Sequence, residues 1–212
     1  METDKKKPIF IGIINHNYTP NNYSIIIVKD WFSSIYSNFD FVTIDTYNKS
    51  KEDFQDILMK YAKGRMTIGM YLCIHGIQQE DEKTHIKNES LKLNEKTYLK
   101  DEEFTKIINS FNEMKTFYFY SETCHSGGLI NNIKIDKPLN ELENYSCIIL
   151  NISSKDYKCY VLTDGNNTIG ISCKILMDAH INPFKTPEMA LMTLKRLLGY
   201  LKPKLTIIKN IS

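Results

Sequence analysis

Apolar residues come along this chain in two rhythms. Short unbroken runs at residues 8–15, 66–74, 116–120 and 145–152 have the length and the β-branched and aromatic content of strands buried on both faces. Residues 39–45 and 205–208 read as two further strands. Between these runs apolar positions recur at helical spacing. Ile26, Ile27, Trp31 and Ile35 mark a helix over 23–36, and Phe54, Ile57, Leu58 and Tyr61 mark one over 51–63. Phe104, Ile107, Ile108 and Phe111 form the stripe of a helix beginning at Asp101, and Leu191, Leu194, Leu197 and Leu198 that of a helix opened by Thr186-Pro187-Glu188. The punctuation agrees: Ser50 can cap the second helix, Gly64 and Gly199 stand at helix ends, and Ser172 opens a shorter helix. Strands alternating with helices predict an α/β fold, a mainly parallel six-stranded sheet flanked by helices on both faces.

The polar stretches are connections. Residues 78–96 are charged and read as an exposed loop or hairpin, residues 131–144 as a surface linker containing Pro138, and Asp164-Gly165-Asn166-Asn167 as a turn. Nothing repeats and no second domain is evident, so 1–212 is expected to be a single domain; a chain of this length buries roughly 70% of its unfolded surface. With 27 basic and 25 acidic residues the charge is too balanced to suggest a nucleic-acid partner. The five cysteines, at 73, 124, 147, 159 and 173, show no C-x-x-C pairing and mostly sit in apolar runs, as buried thiols do in a reducing compartment. No stretch, METDKKKPIF included, approaches the roughly 20 apolar residues of a membrane span. The expectation is a soluble, cytoplasmic monomer without membrane partners.

In parallel sheets ligands meet the carboxyl ends of the strands. Two such ends carry chemistry. The stretch 115–128, KTFYFYSETCHSGG, delivers Cys124 just past a strand and follows it with Gly127 and Gly128. The run 66–74 stops at His75-Gly76. A thiol becomes a good nucleophile beside a base, and an imidazole can protonate a departing amine. Cys124 is the candidate nucleophile and His75 its acid–base partner, with the N–H groups of Gly76 and Cys124 as a hole for the oxyanion of acyl transfer. Taken singly each is ordinary, since a strand-end cysteine is more often a buried apolar residue; the argument rests on both lying at one sheet edge. His125 adjoins Cys124 but points elsewhere, because chain neighbours diverge. His16, His85 and His180 have no spaced partners for zinc, and there is no G-x-G-x-x-G or Walker motif.

Glu122-Thr123-Cys124-His125-Ser126-Gly127-Gly128 resembles the D-S-C-H-S-G segment of metacaspases, and Leu72-Cys73-Ile74-His75-Gly76 resembles their Y-S-G-H-G segment. The separation of His75 and Cys124, 49 positions, is close to the roughly 50 of caspases. Leu150 to Asp156, LNISSKD, is similar to the metacaspase segment after the fifth strand, and Gly170-Ile171-Ser172 to their G-x-F-T helix start. The resemblance covers nearly the whole chain. It implies a caspase-like sandwich with a large-subunit-like part over about 1–134 and a small-subunit-like part over about 145–212. It implies a cysteine endopeptidase in which His75 and Cys124 are the dyad, Gly76 and Cys124 the oxyanion donors, and Glu122 the floor of a pocket for lysine or arginine. It further implies self-cleavage in the linker, where Lys134 is the preferred site because Lys137 precedes Pro138.

The chain departs from that pattern in places. Cys73 and Ile74 replace the usual serine and glycine, altering the pocket wall, and Asn22 falls where metacaspases place a second pocket aspartate. Glu80-Asp81-Glu82 lies where many of them carry a calcium-sensitive region, but without an ordered ligand pattern. No metal or cofactor is expected, calcium activation being the one exception the resemblance allows. Cleavage after aspartate would need an arginine-lined pocket, and Arg65 and Arg196 are the chain's only arginines. Two readings stay open: an endopeptidase acting on protein or peptide substrates after lysine or arginine, and a catalytically weak relative acting as a regulatory or binding module.

Overall fold

The first strand shows how the sequence builds the sheet. Ile9–Ile14 (β1), IFIGII, is apolar throughout because it is covered on both faces, and five of its six residues are buried. In the computed structural model, which describes residues 6–19, 22–80, 87–124, 146–152, 161–164 and 167–208, β1 pairs in parallel with Asp40–Asp45 (β2) on one side and Thr67–Cys73 (β3) on the other. Beyond β3 come Thr116–Ser121 (β7), Ser146–Asn151 (β8) and finally Lys204–Ile208 (β11). The order is β2-β1-β3-β7-β8-β11, parallel except for β11, which runs antiparallel to β8. This is the expected α/β architecture.

Two apolar layers sandwich the sheet. On one face Phe54, Leu58 and Ala62 of Lys51–Ala62 (α2) and Phe104, Ile107 and Ile108 of Asp101–Asn109 (α3) pack on Ile11, Met70 and Phe119. On the other, Ser24–Ser33 (α1), Ile171–Asp178 (α4) and Pro187–Leu198 (α5) contribute Val28, Phe32, Leu176, Ala190 and Leu194 against Phe10, Tyr71, Tyr120 and Leu150. Each fully buried Leu or Phe stabilises the fold by roughly 1.5–3 kcal/mol, and truncating one such as Phe119 to alanine would cost about 3–5 kcal/mol. Local signals set the helix ends. Ser50 Oγ accepts from Asp53 N–H at 3.0 Å while the Asp53 carboxylate reaches back to Ser50, completing a capping box. Lys51 and Glu103, 2.9 Å apart, tie α2 to α3.

The third strand does not simply end at His75, as the apolar run suggests. Ile74 turns the chain into a second sheet, His75–Glu80 (β4), which pairs antiparallel with Lys87–Lys92 (β5) and through it with Tyr98–Lys100 (β6). The expected exposed segment is thus a hairpin with a buried side: Leu91 and Leu93 join the main core. A further small hairpin, Val161–Asp164 (β9) with Asn167–Gly170 (β10), flanks the turn foreseen at 164–167. Ile26 and Leu197, assigned to apolar stripes, are about half exposed, because α1 and α5 each turn only part of those stripes toward the sheet. Among the described residues no helix is long and apolar enough to cross a membrane.

Candidate active site

The strands β1 and β3 are neighbours whose onward connections leave in opposite directions, β1 toward β2 at the sheet edge and β3 toward β7. Such a switch point opens a crevice at the carboxyl ends. Beside it, β3 and β7 pair with an offset that places Leu72 opposite Ser121. The partnership continues past the ladder: Glu122 N–H donates to Leu72 O at 2.9 Å, Thr123 Oγ1 donates to Leu72 O at 3.4 Å, and Ile74 N–H donates to Thr123 Oγ1 at 3.5 Å. Carried one residue further, the same offset sets Cys73 beside Glu122; past Ile74 the chain leaves the ladder, and it is Gly76, meeting the Cys124 backbone, that brings His75 to the same corner. Alternation along each strand puts Tyr71 and Cys73 in one row, and Tyr120 and Glu122 in the next.

Gly76 closes this corner. A Cβ built there would lie 1.8 Å from the carbonyl oxygen of Cys124 and 2.9 Å from Thr123 Cγ2, so the two strand ends meet backbone to backbone. Gly76 is buried, whereas His75 is exposed and Cys124 partly so. The other described cysteines differ: Cys73, Cys147 and Cys173 are at most 3% exposed. Burial, with the Glu122 carboxylate adding to it, pushes the Cys73 thiol up to about 12, and burial raises Cys173 well above its usual value. These are inert thiols. Among the described cysteines Cys124 is the one within reach of a substrate.

Glu122 anchors the inner wall. Its Oε2 accepts from the Tyr71 hydroxyl at 2.8 Å, and its Oε1 accepts from Cys173 N–H at 2.9 Å and from the Ser172 hydroxyl, both in the first turn of α4. A helix N-terminus favours an anion at this point. Gly170 leaves room for the carboxylate, since a Cβ there would lie 2.1 Å from Oε2. Burial nevertheless pushes the Glu122 carboxyl above its usual range, against the opposing pull of these donors. Asn22 Nδ2 reaches Tyr71 Oη at 3.5 Å, while Asn22 Oδ1 is buried with no hydrogen-bond partner.

The structure therefore brings His75, Gly76 and Cys124 to one strand-end corner, and gathers Cys73, Glu122 and Asn22 around Tyr71 directly behind it. Lys134 lies outside the described residues, as do His85, His125, Asp81, Glu82 and the linker at 131–144. Sequence reading passed over Tyr71, Ser172 and Ser24, whose hydroxyl accepts from Gly170 N–H at 2.8 Å within the same cluster. Tyr71 was recoverable from strand alternation, standing two residues before Cys73. Ser24 is tied to the cluster only through tertiary contacts. His16 pairs with Asp45 at the far edge of the sheet. Among the described residues no cluster of three or more His, Cys, Asp or Glu could hold a metal.

No protein-family model and no curated protein matches the chain. Among solved structures, protein GSU0716 from Geobacter sulfurreducens shares the fold, with a TM-score of 0.58 over 95% of this chain and 92% of its own, at 13% identity.

Proposed function

We propose that this chain is a cysteine endopeptidase of metacaspase type, cleaving peptide bonds after lysine or arginine. The observation that supports the reading is the shared corner beyond the ends of β3 and β7, where Gly76, the residue next to His75, packs on the backbone of Cys124. In this mechanism the Cys124 thiolate attacks the scissile carbonyl carbon, forming a C–S bond while the carbonyl electrons pass to oxygen. The N–H groups of Gly76 and Cys124 receive that oxyanion. His75 donates its proton to the leaving amine as the C–N bond breaks. Water then attacks the thioester with His75 accepting its proton, and the thiolate departs, leaving a carboxylic acid.

Support for a basic side chain before the scissile bond comes from the wall behind the dyad. Glu122 supplies negative charge at low exposure, and Asn22 Oδ1 offers a buried acceptor without a partner. A lysine or arginine entering there gains charge-assisted hydrogen bonds that a neutral or acidic side chain does not. The substrates are proteins or peptides.

A second reading has its own observation. The protein's own donors already engage both oxygens of Glu122, which suits a structural strut in a catalytically weak regulatory relative. Hydrolysis of matched fluorogenic peptides ending in arginine, lysine, alanine or aspartate separates the two. The endopeptidase reading expects cleavage of the first two alone, lost in Cys124→Ala. Equal or absent turnover across the set favours the regulatory module.

A further inference from the structure

His75 stands within a set of contacts that the dyad itself does not use. It opens β4 directly opposite Lys92 of β5, and its ring lies 5.3 Å from that of Tyr18, centroid to centroid, inclined by 32°. Tyr18, in the loop after β1, is itself held. Its hydroxyl donates to Glu95 Oε1 at 2.9 Å, and Lys92 Nζ donates to Glu95 Oε2 at 3.0 Å. Lys92 Nζ also stands 5.3 Å from the centre of the Tyr18 ring. One aromatic ring and two opposite charges thus close a triangle against the imidazole, joining three segments distant in sequence.

We infer that Tyr18, anchored by Glu95 and Lys92, is a positioning residue that orients the His75 imidazole toward Cys124, while the Lys92–Glu95 pair balances its proton affinity. This rests on the reading of His75 as the acid–base partner of Cys124. An exposed ring at the start of a strand has several staggered side-chain rotamers open to it. Packing against Tyr18 removes that freedom, and pinning the Tyr18 hydroxyl keeps its ring from swinging out to water. Pairing of Ile14 with Cys73 at the carboxyl ends of β1 and β3 brings the β1 loop beside His75.

The charges act in opposite senses. Groups set around His75 include Tyr18 from the β1 loop, Lys92 opposite it on β5 and Glu95 from the turn after β5, with Cys124 packed against the next residue, Gly76. Lys92 is 16% exposed and Glu95 71%. Tyr18 and Glu95 hold the Lys92 ammonium above the usual lysine range, and Lys92 and Tyr18 hold the Glu95 carboxyl below its own, so both stay ionised at neutral pH. The Lys92 cation disfavours imidazolium and the Glu95 anion favours it.

The test is a histidine-ring NMR titration of the full chain, set beside kcat and KM on an arginine-ending peptide. Lys92→Met is expected to raise the His75 pKa and Glu95→Gln to lower it, each by about threefold in proton affinity. Tyr18→Ala should lower kcat by about ten- to a hundredfold with KM changed less than threefold, and Tyr18→Phe, which keeps the ring but loses its anchor to Glu95, should recover only part of that loss. Charge variants that shift His75 in the same direction or not at all, or a folded Tyr18→Ala of unchanged kcat, would overturn the inference. Opposite NMR shifts in a chain that hydrolyses no peptide would uphold this electrostatic balance and refute the peptidase reading instead.

Discussion

Gly76 and Cys124 touch through their backbones: a methyl group at position 76 would sit 1.8 Å from the Cys124 carbonyl oxygen. The obstacle is main chain and cannot rotate away, so Gly76→Ala must separate the ends of β3 and β7. The expected cost is about 1–3 kcal/mol in stability, and about a hundredfold or more in kcat as the oxyanion donors move out of line. Thermal melts beside kinetics check this, and a variant with normal turnover would show that the contact is dispensable.

Cys124→Ala and His75→Ala should each abolish hydrolysis. Because Cys124 is partly exposed and His75 exposed, neither substitution empties the core, and melting temperatures should fall by only a few degrees at most. The double variant should be no worse than either single one, since the two groups act as a unit.

Glu122→Gln separates charge from shape. Burial holds the folded-state pKa of Glu122 above its unfolded value of about 4.5, so the folded protein binds this proton more tightly than the unfolded chain. The resulting stabilisation is fully present below the unfolded value and is lost as pH rises through the folded one. Melts from pH 4 to pH 8 should therefore show the wild type losing stability relative to Glu122→Gln on going up in pH. Cleavage after arginine should fall about tenfold or more in the same variant. A fall in stability at pH 8 with an unaltered preference for arginine would make Glu122 a purely structural strut.

What the sequence made legible was local. The capping box at Ser50, the stripe of Phe104, Ile107, Ile108 and Phe111, and the unbroken run of β1 each depend on residues a few positions apart, and each formed where expected. His75 and Cys124 were legible for a related reason: each sits where an apolar run stops, and the 49-residue interval between them is the same as the register offset of β3 and β7. What the sequence concealed was non-local. The polar strand β4 is held by pairing with β5, and the partners of Glu122 come from β3 and from α4, about fifty residues away on either side. Tyr18 reads as a loop residue until the fold brings it against His75.

Self-processing in the linker is expected to give a defined product. Lys134 and Lys137 are the basic residues in the linker at 131–140, and a cut after Lys137 would have to expel the ring nitrogen of Pro138. The expected new terminus is Ile135, found by N-terminal sequencing after incubation. Cuts that open at Pro138, or that persist in Cys124→Ala, would contradict the mechanism.

The central claim is that His75 activates Cys124, and a peptide electrophile ending in arginine reads it directly. Mass spectrometry after brief labelling should find the probe on Cys124 and on none of the buried thiols, attached far faster than to free cysteine, with that excess lost in His75→Ala. Labelling of Cys124 no faster than free cysteine, or unchanged by His75→Ala, would contradict the account.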